Sequence, residues 1–124
     1  MRPTVLLVED ELACCTTLAV AFESGNAPQL QHAPTAEEAL AILRGHTVSV
    51  LITDIHLPLM DGLELIRRVR AEESLASLPI IVTSADSNPA TLERALRLGA
   101  NAFFLKPYSP VAIRQKIQEL IRDA

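Results

Sequence analysis

Short, almost wholly apolar runs alternate along this chain with longer stretches whose apolar residues recur every three or four positions. Thr4 to Val8 is the first such run, stopped by Glu9-Asp10-Glu11, which is the pattern of a strand buried on both faces. The period then changes: Leu12, Cys15, Ala19 and Phe22 recur at helical spacing until Ser24-Gly25-Asn26 ends them. Gln29 to Ala33 is too polar for a central strand and is expected at a sheet edge. Thr35 and Glu38 stand at capping-box spacing, Ala36, Ala39, Leu40 and Leu43 make one helix face, and Gly45 stops it.

The same alternation continues to the end of the chain. Val48 to Thr53 reads as a second buried strand that ends at Asp54, followed by a loop with Pro58 and Asp61-Gly62 and a helix from Leu63 to about Glu73. Leu78 to Ser84 is the next strand; Asn88-Pro89 then supplies an N-cap and a first-turn proline for a helix with Leu92, Ala95 and Leu96 on one face. Gly99 is placed to end that helix in a left-handed conformation. Ala102 to Leu105 is the last strand, closed by Lys106-Pro107, and Ser109-Pro110 opens a helix that buries Ile113, Ile117 and Leu120.

Five β/α units of this kind require a parallel sheet with helices on both faces, because each helix is the crossover to the next parallel strand. The expectation is an α/β doubly wound fold forming one domain over residues 1–124, without linker, repeat or output domain. The length suffices for a core without metal or disulfide staples.

Charge and cysteine content narrow the function classes. A net charge of −4 leaves no basic footprint for nucleic acid, so direct DNA binding is not expected. Cys14 and Cys15 are adjacent and read as free thiols of a reducing compartment. No apolar run reaches membrane-spanning length and Met1-Arg2-Pro3 leads directly into a strand, so a soluble cytoplasmic protein is expected.

In open parallel sheets ligands bind beyond the carboxyl ends of the strands, where strand order reverses. The residues at those ends are Glu9 and Asp10, Asp54, Ser84 and Lys106: three carboxylates, a hydroxyl and an ammonium on one rim. Three clustered carboxylates repel one another unless a cation joins them. An oxygen-only donor set with room for water and a phosphoryl oxygen favours magnesium. The remaining groups suit phosphoryl transfer, with Asp54 as a carboxylate nucleophile and Ser84 and Lys106 able to meet the transferring oxygens.

Four strings, Leu6-Leu7-Val8-Glu9-Asp10-Glu11, Asp54-Ile55-His56-Leu57-Pro58-Leu59-Met60-Asp61-Gly62, Ile80-Ile81-Val82-Thr83-Ser84-Ala85 and Lys106-Pro107, stand in order at the strand ends. Together they resemble the response-regulator receiver domains of two-component signalling, and the resemblance spans essentially the whole chain. It implies a flavodoxin-like sheet of order 2-1-3-4-5. It also implies a phosphorylation switch that catalyses its own phosphorylation and dephosphorylation without being a turnover enzyme. Asp54 would be the phosphoacceptor, with magnesium held by Glu9, Asp10, Asp54 and the main-chain carbonyl of His56. Ser84 would be the switch hydroxyl, Phe103 the switch aromatic and Lys106 the phosphate-contacting lysine, with His56 and Asp86 tuning dephosphorylation. The implied phosphodonor is a histidine kinase or histidine phosphotransfer protein, docking near Leu12, Ala13 and Cys14 and the loop after Lys106. The implied output surface is the fourth helix, fifth strand and fifth helix, including Arg94, Arg97, Tyr108 and Gln115, on a monomer or a phosphorylation-dependent dimer.

Plainer readings stand beside these. Asp10 suits an N-cap, Phe103 suits plain core, and His56 and Asp86 suit polar loop positions. Thr83 competes with Ser84, since alternation turns only one of them to the site; the following Ala85 and the spacing to the lysine that the resemblance implies favour Ser84. His32 and His46 read as surface residues, and Arg67, Arg68 and Arg70 as the solvated side of their helix. The rival classes are a degenerate receiver serving as an interaction module and a small aspartate-nucleophile phosphotransferase of the haloacid-dehalogenase kind. The latter typically has an acid two residues after its nucleophile, where this chain has His56.

Overall fold

The computed structural model describes residues 2–23 and 25–122. Five strands, β1 (Thr4–Val8), β2 (Gln29–Ala33), β3 (Val50–Asp54), β4 (Ile80–Ser84) and β5 (Ala102–Leu105), alternate with five helices, α1 (Leu12–Val20), α2 (Ala36–Gly45), α3 (Gly62–Ala71), α4 (Pro89–Leu98) and α5 (Pro110–Arg122). All pairings are parallel and the sheet runs β2-β1-β3-β4-β5, a flavodoxin-like arrangement. The polar β2 lies at the edge, as its composition predicts.

Period-two alternation divides the strand residues between two buried layers. Leu6, Val8, Leu51, Ile80 and Val82 pack with α2, α3 and α4, whereas Val5, Leu7, Val50, Ile52 and Ile81 pack with α1 and α5. Both faces of the central strands are therefore apolar, which is why their sequences read as continuous runs rather than alternating ones. The first polar residues after these runs emerge together at the carboxyl edge. Between β1 and β3 the chain connections leave in opposite directions, and that switch point holds Glu9 and Asp54.

Local signals behave largely as their chemistry requires. Thr35 Oγ1 accepts from Glu38 N at 3.2 Å, and Asn88 Oδ1 accepts from Ala90 N at 3.0 Å with Pro89 in the first turn. Gly99 caps α4 at φ 114°. The helix expected to reach Glu73 stops at Ala71 and is followed by a separate 3-10 turn, Glu73–Leu75.

Two readings need correction. The first helix buries Leu18 and leaves Leu12 78% exposed; it ends at Val20, and Phe22 packs from the turn beyond. Of the triplet expected to end it, Ser24 lies outside the described residues, as does Met1. The helix is apolar nearly all round, so its period does not define one face. Arg70, expected on a solvated face, is instead drawn inward. Its guanidinium donates to the carbonyls of Gly99 (2.7 Å), Leu78 (2.6 Å) and Ala76 (3.1 Å) and to Asn101 Oδ1 (3.1 Å), joining the C-terminal ends of α3 and α4 to the start of β4. Arg67 and Arg68 do remain outside, paired with Glu64.

Candidate functional site

The rim is organised around one ammonium. Lys106 follows β5, and its backbone N–H donates to Ser84 O at 2.8 Å, so the end of β4 fixes where the lysine starts. Its Nζ lies 2.8 Å from Asp54 Oδ2 and 2.7 Å from Glu9 Oε1. Burial works against the charge on Lys106, but the two nearby carboxylates of Asp54 and Glu9 outweigh it and raise the pKa. For Glu9, burial dominates and raises the carboxyl pKa, helped by the charge of Asp54 and opposed by Lys106. The Lys106-Pro107 bond is cis.

One positive charge does not balance this rim. Glu9 is 1% exposed, and its Oε1 is buried without a well-formed hydrogen bond among the described residues: Lys106 approaches it closely, but not in hydrogen-bond geometry. Carboxylate oxygens of Glu9, Glu11 and Asp54 lie within 4.8 Å of one another. An all-oxygen donor set with an under-satisfied buried oxygen fits a hard divalent cation such as magnesium. The convergence differs from the sequence expectation at one position: Glu11 joins Glu9 and Asp54, whereas Asp10 is exposed and outside that group. Asp10 is not the helix cap either. Glu11 takes the N-cap position of α1, without a side-chain cap bond, while its N–H donates to Glu9 Oε2 at 3.4 Å.

The loop after β3 holds Asp54 from behind. His56 N donates to Asp54 Oδ1 at 3.2 Å, and Gly62 N donates to Ile55 O at 2.8 Å. A Cβ on Gly62 would stand 2.1 Å from the Asp54 carbonyl oxygen, so only glycine permits this approach of α3 to the acceptor strand. Asp61 caps α3, its Oδ1 accepting from Glu64 N at 2.8 Å. Within the same loop Leu59 has φ 65° and is 89% exposed, a left-handed conformation that side chains normally avoid.

On the β4 side, Thr83 and Ser84 are both buried and alternate in direction. Thr83 Oγ1 has no hydrogen-bond partner among the described residues, whereas Ser84 Oγ accepts from Asp86 N at 2.9 Å. Asp86 Oδ2 is 3.9 Å from His56 Nε2, so the two loop residues named from the sequence face each other across the rim. Hydrogen bonds from Asn88 N and then Thr91 Oγ1 lower the Asp86 pKa. Phe103 is partly buried against the layer formed with α2, α3 and α4, and borders a surface cavity of about 400 Å³ shared with Asp86, Asn88 and Leu92.

Two contacts near the rim had no signal in the sequence. His32 is exposed overall, yet its Nε2 lies 2.7 Å from the Glu9 carbonyl oxygen and 3.2 Å from Cys15 Sγ. Burial, then the charge of Glu9, raises the pKa of both Cys14 and Cys15, which makes neither a ready nucleophile. Burial pushes Tyr108 up to about 12.

Comparison with known proteins follows the same line. A family model described as the response regulator receiver domain matches residues 5–118. A chemotaxis protein CheY homolog of Campylobacter jejuni is 35% identical over 80 residues, covering 64% of this chain and 62% of that protein. The response regulator GtcR of Aneurinibacillus migulanus is 32% identical across the full chain, which spans half of that regulator's length. The crystal structure of a response regulator receiver protein from Pseudomonas putida superposes with TM-score 0.83 at 32% identity, covering 100% of this chain and 98% of that one. A signal receiver domain of a histidine kinase from Syntrophus aciditrophicus superposes with TM-score 0.88 at 27% identity, covering 98% and 92%. With the match running from the first strand into the last helix and the strand order that of its structural relatives, this chain belongs to the response regulator receiver domain family.

Proposed function

We propose that this domain is a phosphorylation-dependent signalling switch that accepts a phosphoryl group on Asp54. The observation that carries the reading is the partly buried ammonium of Lys106 held against two carboxylates, Asp54 and Glu9, at the switch point of the sheet. A structural ion pair would need only one acid. The donor is a phosphorylated histidine of a kinase or phosphotransfer protein: an Asp54 oxygen attacks phosphorus, the O–P bond forms, the N–P bond breaks, and the imidazole leaves and takes up a proton. Transfer is a single event per signal, so the domain is a switch and not a turnover enzyme.

Magnesium would be held by Glu9, Asp10, Asp54 and the main-chain carbonyl of His56, with Glu11 as a further nearby carboxylate. When bound, it supplies positive charge to the phosphoryl oxygens. Lys106 supplies the protein's own positive charge, and Ser84 donates its hydroxyl to a phosphoryl oxygen. His56 and Asp86 flank the approach of water and set the lifetime of the acyl phosphate. Ser84 turning inward frees space into which Phe103 rotates, changing the surface formed by α4, β5 and α5 that carries Arg94, Arg97, Tyr108 and Gln115. The donor protein docks over Leu12, Ala13 and Cys14 beside the acceptor.

The test is intact mass after incubation with magnesium and acetyl phosphate. One added phosphoryl group in the native chain and none in Asp54→Ala supports the switch. No adduct in the native chain, together with no binding of beryllofluoride, replaces it with an interaction module that has lost the chemistry.

A further inference from the structure

Ser84 is tied to α4 by more than the chain between them. Its Oγ accepts from Asp86 N at 2.9 Å. The Asp86 carboxylate then spans the start of the helix: Oδ1 accepts from Asn88 N at 2.9 Å and Oδ2 from Thr91 Oγ1 at 2.8 Å. Asn88 in turn caps Ala90 N at 3.0 Å and accepts from Thr91 N at 3.0 Å through its carbonyl. A charged acceptor gives these bonds more strength than neutral pairs would have, and a carboxylate suits the positive end of a helix. Both Asp86 oxygens are thereby committed to the helix start.

The far end of α4 is fixed differently. Arg70 donates through both Nε (3.2 Å) and Nη2 (2.7 Å) to Gly99 O, the cap residue, and its other bonds hold it to Leu78 O and Asn101 Oδ1. The helix is thus anchored at its C-terminal end to parts that lie opposite the rim and linked at its N-terminal end to the hydroxyl at the rim. Residues 85–88 form no regular element, so without the carboxylate bridge a displacement of Ser84 could be absorbed there.

We propose that Thr91, through its hydrogen bond to Asp86, is a positioning residue that makes the first turn of α4 move together with the Ser84 hydroxyl while Arg70 holds the other end. This deepens the switch reading and rests on it. Thr91 touches neither the acceptor nor the metal site, and it acts only by keeping Asp86 and the helix one body.

The test uses beryllofluoride with magnesium as the phosphoryl mimic. Fluorine NMR reports occupancy of the site, and amide shifts report the displacement of Ala90 to Ala95. Thr91→Val keeps the side-chain shape and removes the hydroxyl; Thr91→Ser keeps the hydroxyl. The expected result is that Thr91→Val binds beryllofluoride within about two-fold of the native chain but loses about half or more of the α4 displacement, which Thr91→Ser restores. Asp86→Asn, which retains an acceptor for Asn88 N and a polar partner for Thr91, should keep most of the displacement, whereas Asp86→Ala should lose it. A native-like displacement in Thr91→Val, or an equal loss of beryllofluoride binding, overturns the proposal. Loss of displacement in Asp86→Asn equal to that in Asp86→Ala overturns it too, by assigning the effect to charge. Failure of the native chain to bind beryllofluoride is a separate result that removes the switch reading itself.

Discussion

Lys106 Nζ and Asp54 Oδ2 meet at 2.8 Å across 52 residues of sequence, with the lysine side chain only 11% exposed. The contact neutralises a carboxylate that would otherwise face Glu9 with no protein cation between them. Lys106→Ala should therefore destabilise the metal-free domain by roughly 3 kcal/mol, the scale for removing one partner of a buried pair. Magnesium should recover part of the loss. Urea denaturation with and without the ion checks both, and a variant as stable as the native chain would mean the pair contributes no net stability.

The state of Glu9 makes a pH prediction. Burial, only partly offset by Lys106, raises its pKa, so the folded state binds the Glu9 proton more tightly than the unfolded chain does. Stability of the metal-free domain should then fall as pH rises from the ordinary glutamate value of 4.5 through the raised one. Glu9→Gln should flatten this dependence and also reduce the stabilisation that magnesium gives at neutral pH. Thermal unfolding across pH, with and without magnesium, reads both; an unchanged slope in Glu9→Gln would remove Glu9 as its source.

Asp10 and Glu11 divide the metal site between resemblance and geometry. The resemblance implies a ligand role for Asp10, while the carboxylate clustered with Glu9 and Asp54 is that of Glu11. Glu11 is also an acceptor for Cys14 Sγ at 3.8 Å and sits at the start of α1, whereas Asp10 is exposed. Asp10→Ala should weaken magnesium binding about ten-fold or more and Glu11→Ala by less. Calorimetric titration decides it, and the reverse order would give the ligand role to Glu11.

Gly62 ties helix packing to acceptor geometry. With a Cβ 2.1 Å from the Asp54 carbonyl oxygen, Gly62→Ala must push α3 away from the acceptor strand. The expected cost is about 2 kcal/mol or more of stability, together with slower phosphorylation. Native-like urea midpoint and native-like rate would show that the loop adjusts without disturbing Asp54.

The strand ends are legible because each buried run stops abruptly at a polar residue, which puts Asp54, Ser84 and Lys106 on one rim. Side-chain reach was not legible. Arg70 reads as solvated because helical spacing records direction, not where a long guanidinium finds carbonyls; its partners Gly99 and Leu78 lie on other elements. His32 is polar in an edge strand, yet it reaches the Glu9 carbonyl across the sheet. On α1 the apolar residues surround the helix, so periodicity chose Leu12 where packing buries Leu18. The position of Glu11 is of the same kind, because strand ends specify which segment arrives and backbone turns bring Glu11 beside Glu9 and Asp54 while Asp10 stays exposed.

Reductive trapping locates the phosphoacceptor residue. After incubation with acetyl phosphate and magnesium, borohydride converts an aspartyl phosphate to homoserine, and peptide mass mapping locates it. An aspartyl-phosphate switch gives homoserine at position 54, dependent on magnesium and absent from Asp54→Ala. Homoserine at any other carboxylate, or none at all in the folded native chain, would contradict it.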